Sequence, residues 1–159
     1  MMKQTQWKQT VLWVAAVEAA GFLSGLLSMS PRKEFGDLAL QPELTPPGWV
    51  FPLVWSVLYA LMGIGAARIW RSAESVDRNL GLNLFVAQLI FNFFWSLIFF
   101  NAQAYGFAAI WLGILWILTA AMILVFYRVD QLAAFLQIPY LLWLTFAEYL
   151  NVAVWQLNR

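Results

Sequence analysis

Histidine and cysteine are both absent from the 159 residues, and the two absences remove much chemistry at once. Without cysteine there are no disulfides, no thiolate nucleophiles and no cysteine-ligated zinc or iron-sulfur sites. Without histidine the usual general base, the commonest metal ligand and the usual proximal haem ligand are missing. No metal site and no resident cofactor are expected. Charge is also scarce, at 11% of residues, where a soluble domain carries about 25%. The net charge is +1 with no basic stripe, so nucleic acid is not an expected partner.

What is there is apolar: 63% of residues are hydrophobic and 18% aromatic. So few charges cannot cover a water-facing surface, and the sequence predicts a multi-pass integral membrane protein in contact with the lipid bilayer. From Asn79 to Tyr127 there is no Asp, Glu, Lys or Arg. About 20 apolar residues cross the ~30 Å hydrocarbon layer, so two spans fit in that run. Apolar runs between charge clusters predict an all-α, five-transmembrane-helix bundle forming one domain over residues 1–159. The spans are 7–29, 49–70, 80–100, 105–127 and 132–157, with a long loop at 30–48. The alternating ten-residue strands of a barrel do not occur. Lys3 and Lys8 before an apolar run resemble the opening of a signal peptide, but the run carries Glu18 and lacks a small-x-small cleavage site, so it reads as a retained first helix. Six cations fall on the N-terminal side of this arrangement and three on the other, which points the N-terminus to the cytoplasm if the membrane is an ordinary inner membrane.

The long loop runs into TPPGWVFPLVW, Thr45 to Trp55. Pro46 and Pro47 fix their own φ and hold their predecessors extended, which stiffens a rim just before a helix. Pro52 is tolerated if the helix starts near Trp49. Trp49 is either a headgroup-level anchor or a ligand contact. Trp55, with Tyr59 and Met62 on the same helical face, offers a flat apolar plate and one N–H donor; it serves either a flat aromatic ligand or helix packing.

The third span places Gln88, Asn92 and Ser96 four residues apart on one face. Amides in lipid face the bundle interior or a cavity, so this face points inward, to bond other helices or to line a pocket. The last span sets Tyr140, Trp143, Ala147 and Asn151 on one side, with Pro139 near its start as a possible kink. Glu18 and Glu148 are ionisable groups inside spans, each a functional candidate or a protonated or hydrogen-bonded structural group. Ala20, Ser24 and Ser28 with Gly21 and Gly25, and separately Ala109 with Gly113, make small-residue lines that permit close helix approach, within the chain or between two copies.

Three blocks, TPPGWVFPLVWSVLYALMG (Thr45 to Gly63), QLIFNFFWSLIFF (Gln88 to Phe100) and IPYLLWLTFAEYLNVAVWQLN (Ile138 to Asn158), stand in the order and spacing of a known family. The chain resembles the TspO/MBR family, that of the tryptophan-rich sensory proteins and the mitochondrial translocator protein, over nearly its whole length. The resemblance implies a five-helix bundle, often a homodimer, whose pocket beneath the first loop binds porphyrins and related tetrapyrroles. Trp55 and Trp143 match the pocket tryptophans implicated in porphyrin handling; Asn92, Ser96 and Ala147 match other lining positions. For some members the family implies light-dependent breakdown of protoporphyrin, which would make Trp55 and Trp143 the catalytic residues. No acid-base or nucleophile constellation points to a conventional enzyme. The first loop departs from the family, with Phe35, Gly36 and Gln41-Pro42-Glu43-Leu44 where a Trp-Tyr pair and Lys-Pro-x-Trp are usual. The L/V-x-Y-x-K/R sterol pattern also fails, since Tyr127 abuts Arg128 and Tyr149 lies too far from Arg159. The expected role is a membrane-embedded sensor or binding protein for tetrapyrroles, the alternatives being facilitated transport of porphyrins or other flat amphipathic ligands and light-dependent porphyrin degradation.

Overall fold

A computed structural model describes residues 2–159, with side chains from Gln4 onward, so Lys3 of the charge count lies outside the described side chains. Among the described residues the chain is helical, with no β-strand. The helices are α1 (Met2–Leu27), α2 (Met29–Leu38), α3 (Val50–Arg71), α4 (Val76–Ser96), α5 (Tyr105–Val129), α6 (Gln131–Phe135) and α7 (Ile138–Leu157); a π-helical turn, Leu97–Asn101, extends α4. Among the described residues five segments are long and apolar enough to cross a membrane: α1 from Gln4, α3, α4 with its π turn, α5, and α6 with α7.

Several elements differ from their sequence expectation, each for a local reason. The long loop is half helix: α2 follows α1 after the single residue Ser28, and Arg32 N donates to Ser28 O at 2.8 Å. Pro31 is the third residue of α2, inside the first turn, where a missing N–H leaves no intrahelical bond unmade. The third span starts earlier than Leu80, because Ser75 Oγ accepts from Arg78 N at 3.1 Å and caps a helix that takes in Asp77 and Arg78. The fifth span is broken: Asp130 caps α6, and Pro139 opens α7 at its beginning. Pro139 therefore starts a helix and does not kink one.

In hydrocarbon no hydrophobic effect drives helices together, so close packing and buried polar contacts hold the bundle. Around it α1 packs on α3, α4 on α5 and α5 on α7, with α4 touching both α1 and α3. Met62, Ala66, Phe85, Met122, Phe126 and Leu144 form the centre of the core. A Cβ on Gly63 would sit 2.6 Å from the backbone Cα of Val14, so the α1–α3 crossing depends on the missing side chain. Exposed Leu12, Phe22, Ile117, Leu124 and Leu142 form the outer apolar surface. At the N-terminal end Asp130 binds Arg68 at 2.7 Å and accepts from Ala133 N at 3.0 Å. The chain after α2 is tied down by Asn158, whose amide donates to Leu40 O at 2.8 Å and accepts from Leu40 N at 2.9 Å.

Candidate functional site

A cavity of about 370 Å³ opens between α1, the start of α2, α3 and α4. One wall is aromatic. Trp55 stacks on Tyr59, four residues on in α3, with ring centroids 5.3 Å apart and planes 28° from parallel. Trp95 of α4 supplies a second indole, itself stacked on Phe99 at 5.2 Å. The opposite wall is the small-residue face of α1, with Gly21, Ser24 and Gly25. A Cβ on Gly21 would run into the Tyr59 ring, so glycine there is what lets the phenol lie against the helix. Exposed Phe22, Leu26, Met29, Pro52 and Ser56 frame the mouth, which opens sideways between α1 and α3 toward the region lipid occupies.

The polar lining is fixed by hydrogen bonds. Tyr59 Oη donates to Asn92 Oδ1 at 2.8 Å, Asn92 Nδ2 donates to Tyr140 Oη at 3.0 Å, and Tyr140 Oη donates to Gln88 Oε1 at 2.9 Å. The chain joins α3, α4 and α7 and leaves each amide and phenol in it paired, as apolar surroundings require. Ser96 Oγ donates to Ser28 Oγ at 2.9 Å, and Ser24 Oγ donates to Phe93 O at 2.8 Å. Thus Tyr59, Asn92 and Ser96 show the cavity side chains whose orientation is already set.

Only some of the sequence-predicted residues reach the cavity. Trp55, Tyr59, Asn92 and Ser96 line the cavity. Gln88 and Tyr140 are fully buried behind it, acting through the hydrogen-bond chain. Trp143 sits behind Trp55, edge to face, with centroids 6.5 Å apart, and Ala147 packs against the core on the same helix; neither lines the cavity. Asn151 accepts from Trp95 Nε1 at 3.0 Å and donates to Tyr105 O at 2.8 Å, so it orients an indole of the wall. Trp49 is 69% exposed and immediately precedes α3 without a side-chain capping hydrogen bond. Pro46 and Pro47 lie in the preceding segment, where Val50 N donates to Pro47 O at 2.9 Å. Glu18 lines the cavity and Glu148 does not.

Of the lining residues that escape the sequence reading, Trp95 and Arg32 carry the most chemistry. Trp95 lies three residues after Asn92 and on the same side of α4, a spacing that would have found it. Arg32 continues the four-residue series Ser24, Ser28, Arg32 once α1 is seen to run almost unbroken into α2. Its guanidinium lies over the Phe100 ring at 5.1 Å. Burial pulls it below its ordinary pKa, opposed by the phenol of Tyr59, and arginine remains a cation throughout the physiological range.

Five membrane-crossing helices enclosing an aromatic-walled cavity define the class: polytopic α-helical membrane proteins. Residues 13–156 match the model of the TspO/MBR family, to which the chain belongs. It is 35% identical to the tryptophan-rich protein TspO of Chlorobaculum tepidum, over 88% of this chain and 89% of that one. It is 34% identical to the tryptophan-rich sensory protein of Cereibacter sphaeroides, over 96% and 92%. The translocator protein of Sus scrofa is 33% identical, again over 96% and 92%.

Proposed function

We propose that the protein is a membrane-embedded binding protein for porphyrins and related tetrapyrroles, which senses or traffics them. The observation that carries the reading is the aromatic wall of the cavity, where the Trp55 and Tyr59 rings are held as a stack. A macrocycle lies face-on against such a wall, with Asn92 and Ser96 as polar contacts and Trp95 closing the far side. Family membership supports the same reading, since relatives carry the names sensory protein and translocator protein. The sideways mouth favours facilitated movement as the second reading, because a ligand dissolved in lipid has a direct way in. A homodimer belongs to the proposal as well.

Quenching of tryptophan fluorescence by protoporphyrin, in detergent-solubilised protein, tests it. Saturable binding is expected in wild type. Trp55→Phe should weaken it about tenfold, the size of an aromatic stacking contact, and Trp143→Phe alone should change it far less, because that indole lies behind the wall. Absence of saturable binding by folded protein refutes the reading. Proteoliposome flux of the same ligand separates trafficking from binding alone, and light-dependent bleaching that persists in the Trp55→Phe, Trp143→Phe double variant would exclude those two side chains as its agents.

A further inference from the structure

We infer that Arg32 recognises a carboxylate on the ligand of this cavity and so fixes which way round the ligand lies. This rests on the proposed binding of a flat tetrapyrrole-like ligand and specifies its chemistry: an apolar aromatic body with an acidic arm at one end. Three observations lead there. Arg32 lines the cavity, yet its Nε is buried without a hydrogen-bond partner. No carboxylate lies within ion-pair distance of it among the described residues, although Glu34 and Asp37 share its helix. The Phe100 ring beneath the guanidinium leaves its edge as the donor surface. A buried N–H with no partner is costly, and a guanidinium edge matches the two oxygens of a carboxylate.

Position gives the second half of the argument. Arg32 is in α2, past the C-terminal end of the first span, whereas Glu18 lines the cavity from within that span. The site therefore has a cation at its outer end and a carboxyl group further inside. An acidic arm is attracted to the first and finds no cation beside the second, so the acid lies toward water and the ring system against Trp55 and Tyr59. An esterified ligand loses the charge and with it the preference.

The test compares protoporphyrin free acid with its dimethyl ester, by tryptophan quenching in a nonionic detergent, for wild type, Arg32→Gln and Arg32→Lys. Wild type should bind the acid about tenfold more tightly than the ester, the size of a charge-assisted hydrogen bond. Arg32→Gln should bring the ratio to about unity by weakening the acid alone, and Arg32→Lys should restore part of it. Equal wild-type affinities, or equal loss of both ligands in Arg32→Gln, overturns the inference while leaving the binding function intact. If neither porphyrin binds, pyrenebutyric acid and its methyl ester replace them: an Arg32-dependent preference for the acid sustains the inference and rejects the tetrapyrrole, and no preference rejects both. Displacement of the acid by phosphatidylglycerol in wild type but not in Arg32→Gln would assign the guanidinium to a lipid phosphate, against the inference.

Discussion

At the scale of single residues, the site depends as much on atoms that are missing as on those present. Gly21 and Gly63 both sit on the α1–α3 seam, the first leaving room for the Tyr59 ring and the second for the Val14 backbone. A ring can turn aside, but a backbone moves only with its whole helix. Gly63→Ala is therefore expected to destabilise by about 1–3 kcal/mol, the usual effect of overpacking, seen as a lower thermal midpoint in detergent. Gly113→Ala is the control: nothing lies within 4 Å of its added Cβ, and alanine is the better helix former by about 1 kcal/mol, so its midpoint should hold or rise. The inward faces were legible at this scale. Gln88, Asn92 and Tyr140 had to find partners in a charge-poor bundle, and the periodicity of 3.6 fixed their side. Which of them touch the cavity was not legible, since that depends on the depth of neighbouring helices and not on facing alone. Trp143 and Trp55 both face inward, but one lies behind the other.

At the scale of elements, the ends of helices carried the surprises. Charges at Asp77 and Arg78 mark a boundary to a hydropathy reading, but Ser75 starts the helix ahead of them. The same holds at Asp130, which caps α6 and pairs with Arg68. Burial by itself would raise the Asp130 carboxyl; the Ala133 N–H and the Arg68 guanidinium outweigh it and hold the group below the usual carboxylate range. A carboxyl depressed in the folded state contributes stability that is complete above its unfolded value, about 3.9, and is lost as pH falls toward the folded one. Wild-type protein should hold its unfolding midpoint from pH 7 to about pH 5 and lose stability below about pH 4, in proportion to this group. Asp130→Asn should start less stable and show a smaller loss over the same acid range. A fall as steep as wild type in the variant would place the acid sensitivity elsewhere. The π-helical turn after Ser96 was not legible at all, because one wider turn within an apolar run leaves no trace in residue type.

At the scale of the whole molecule, the five-span order followed directly from charge clustering, because in a bilayer each ionisable group restricts where a helix can start or stop. The distribution of cations predicts orientation. The chain lacks native cysteine, so single engineered thiols report cleanly: with the N-terminus inside, Asp37→Cys on α2 should react with an impermeant maleimide in intact cells, and Glu74→Cys between α3 and α4 only after lysis. The reverse pattern would invert the topology and place Arg32 on the cytoplasmic side. The sideways mouth between α1 and α3 has a consequence for how affinity is measured. A pocket filled from the hydrocarbon responds to the amount of ligand per lipid, because the bilayer is the reservoir and water holds little of an apolar compound. Dissociation constants expressed in aqueous molarity will then drift with the lipid-to-protein ratio, while the same data expressed as mole fraction in the membrane will fall on a single curve.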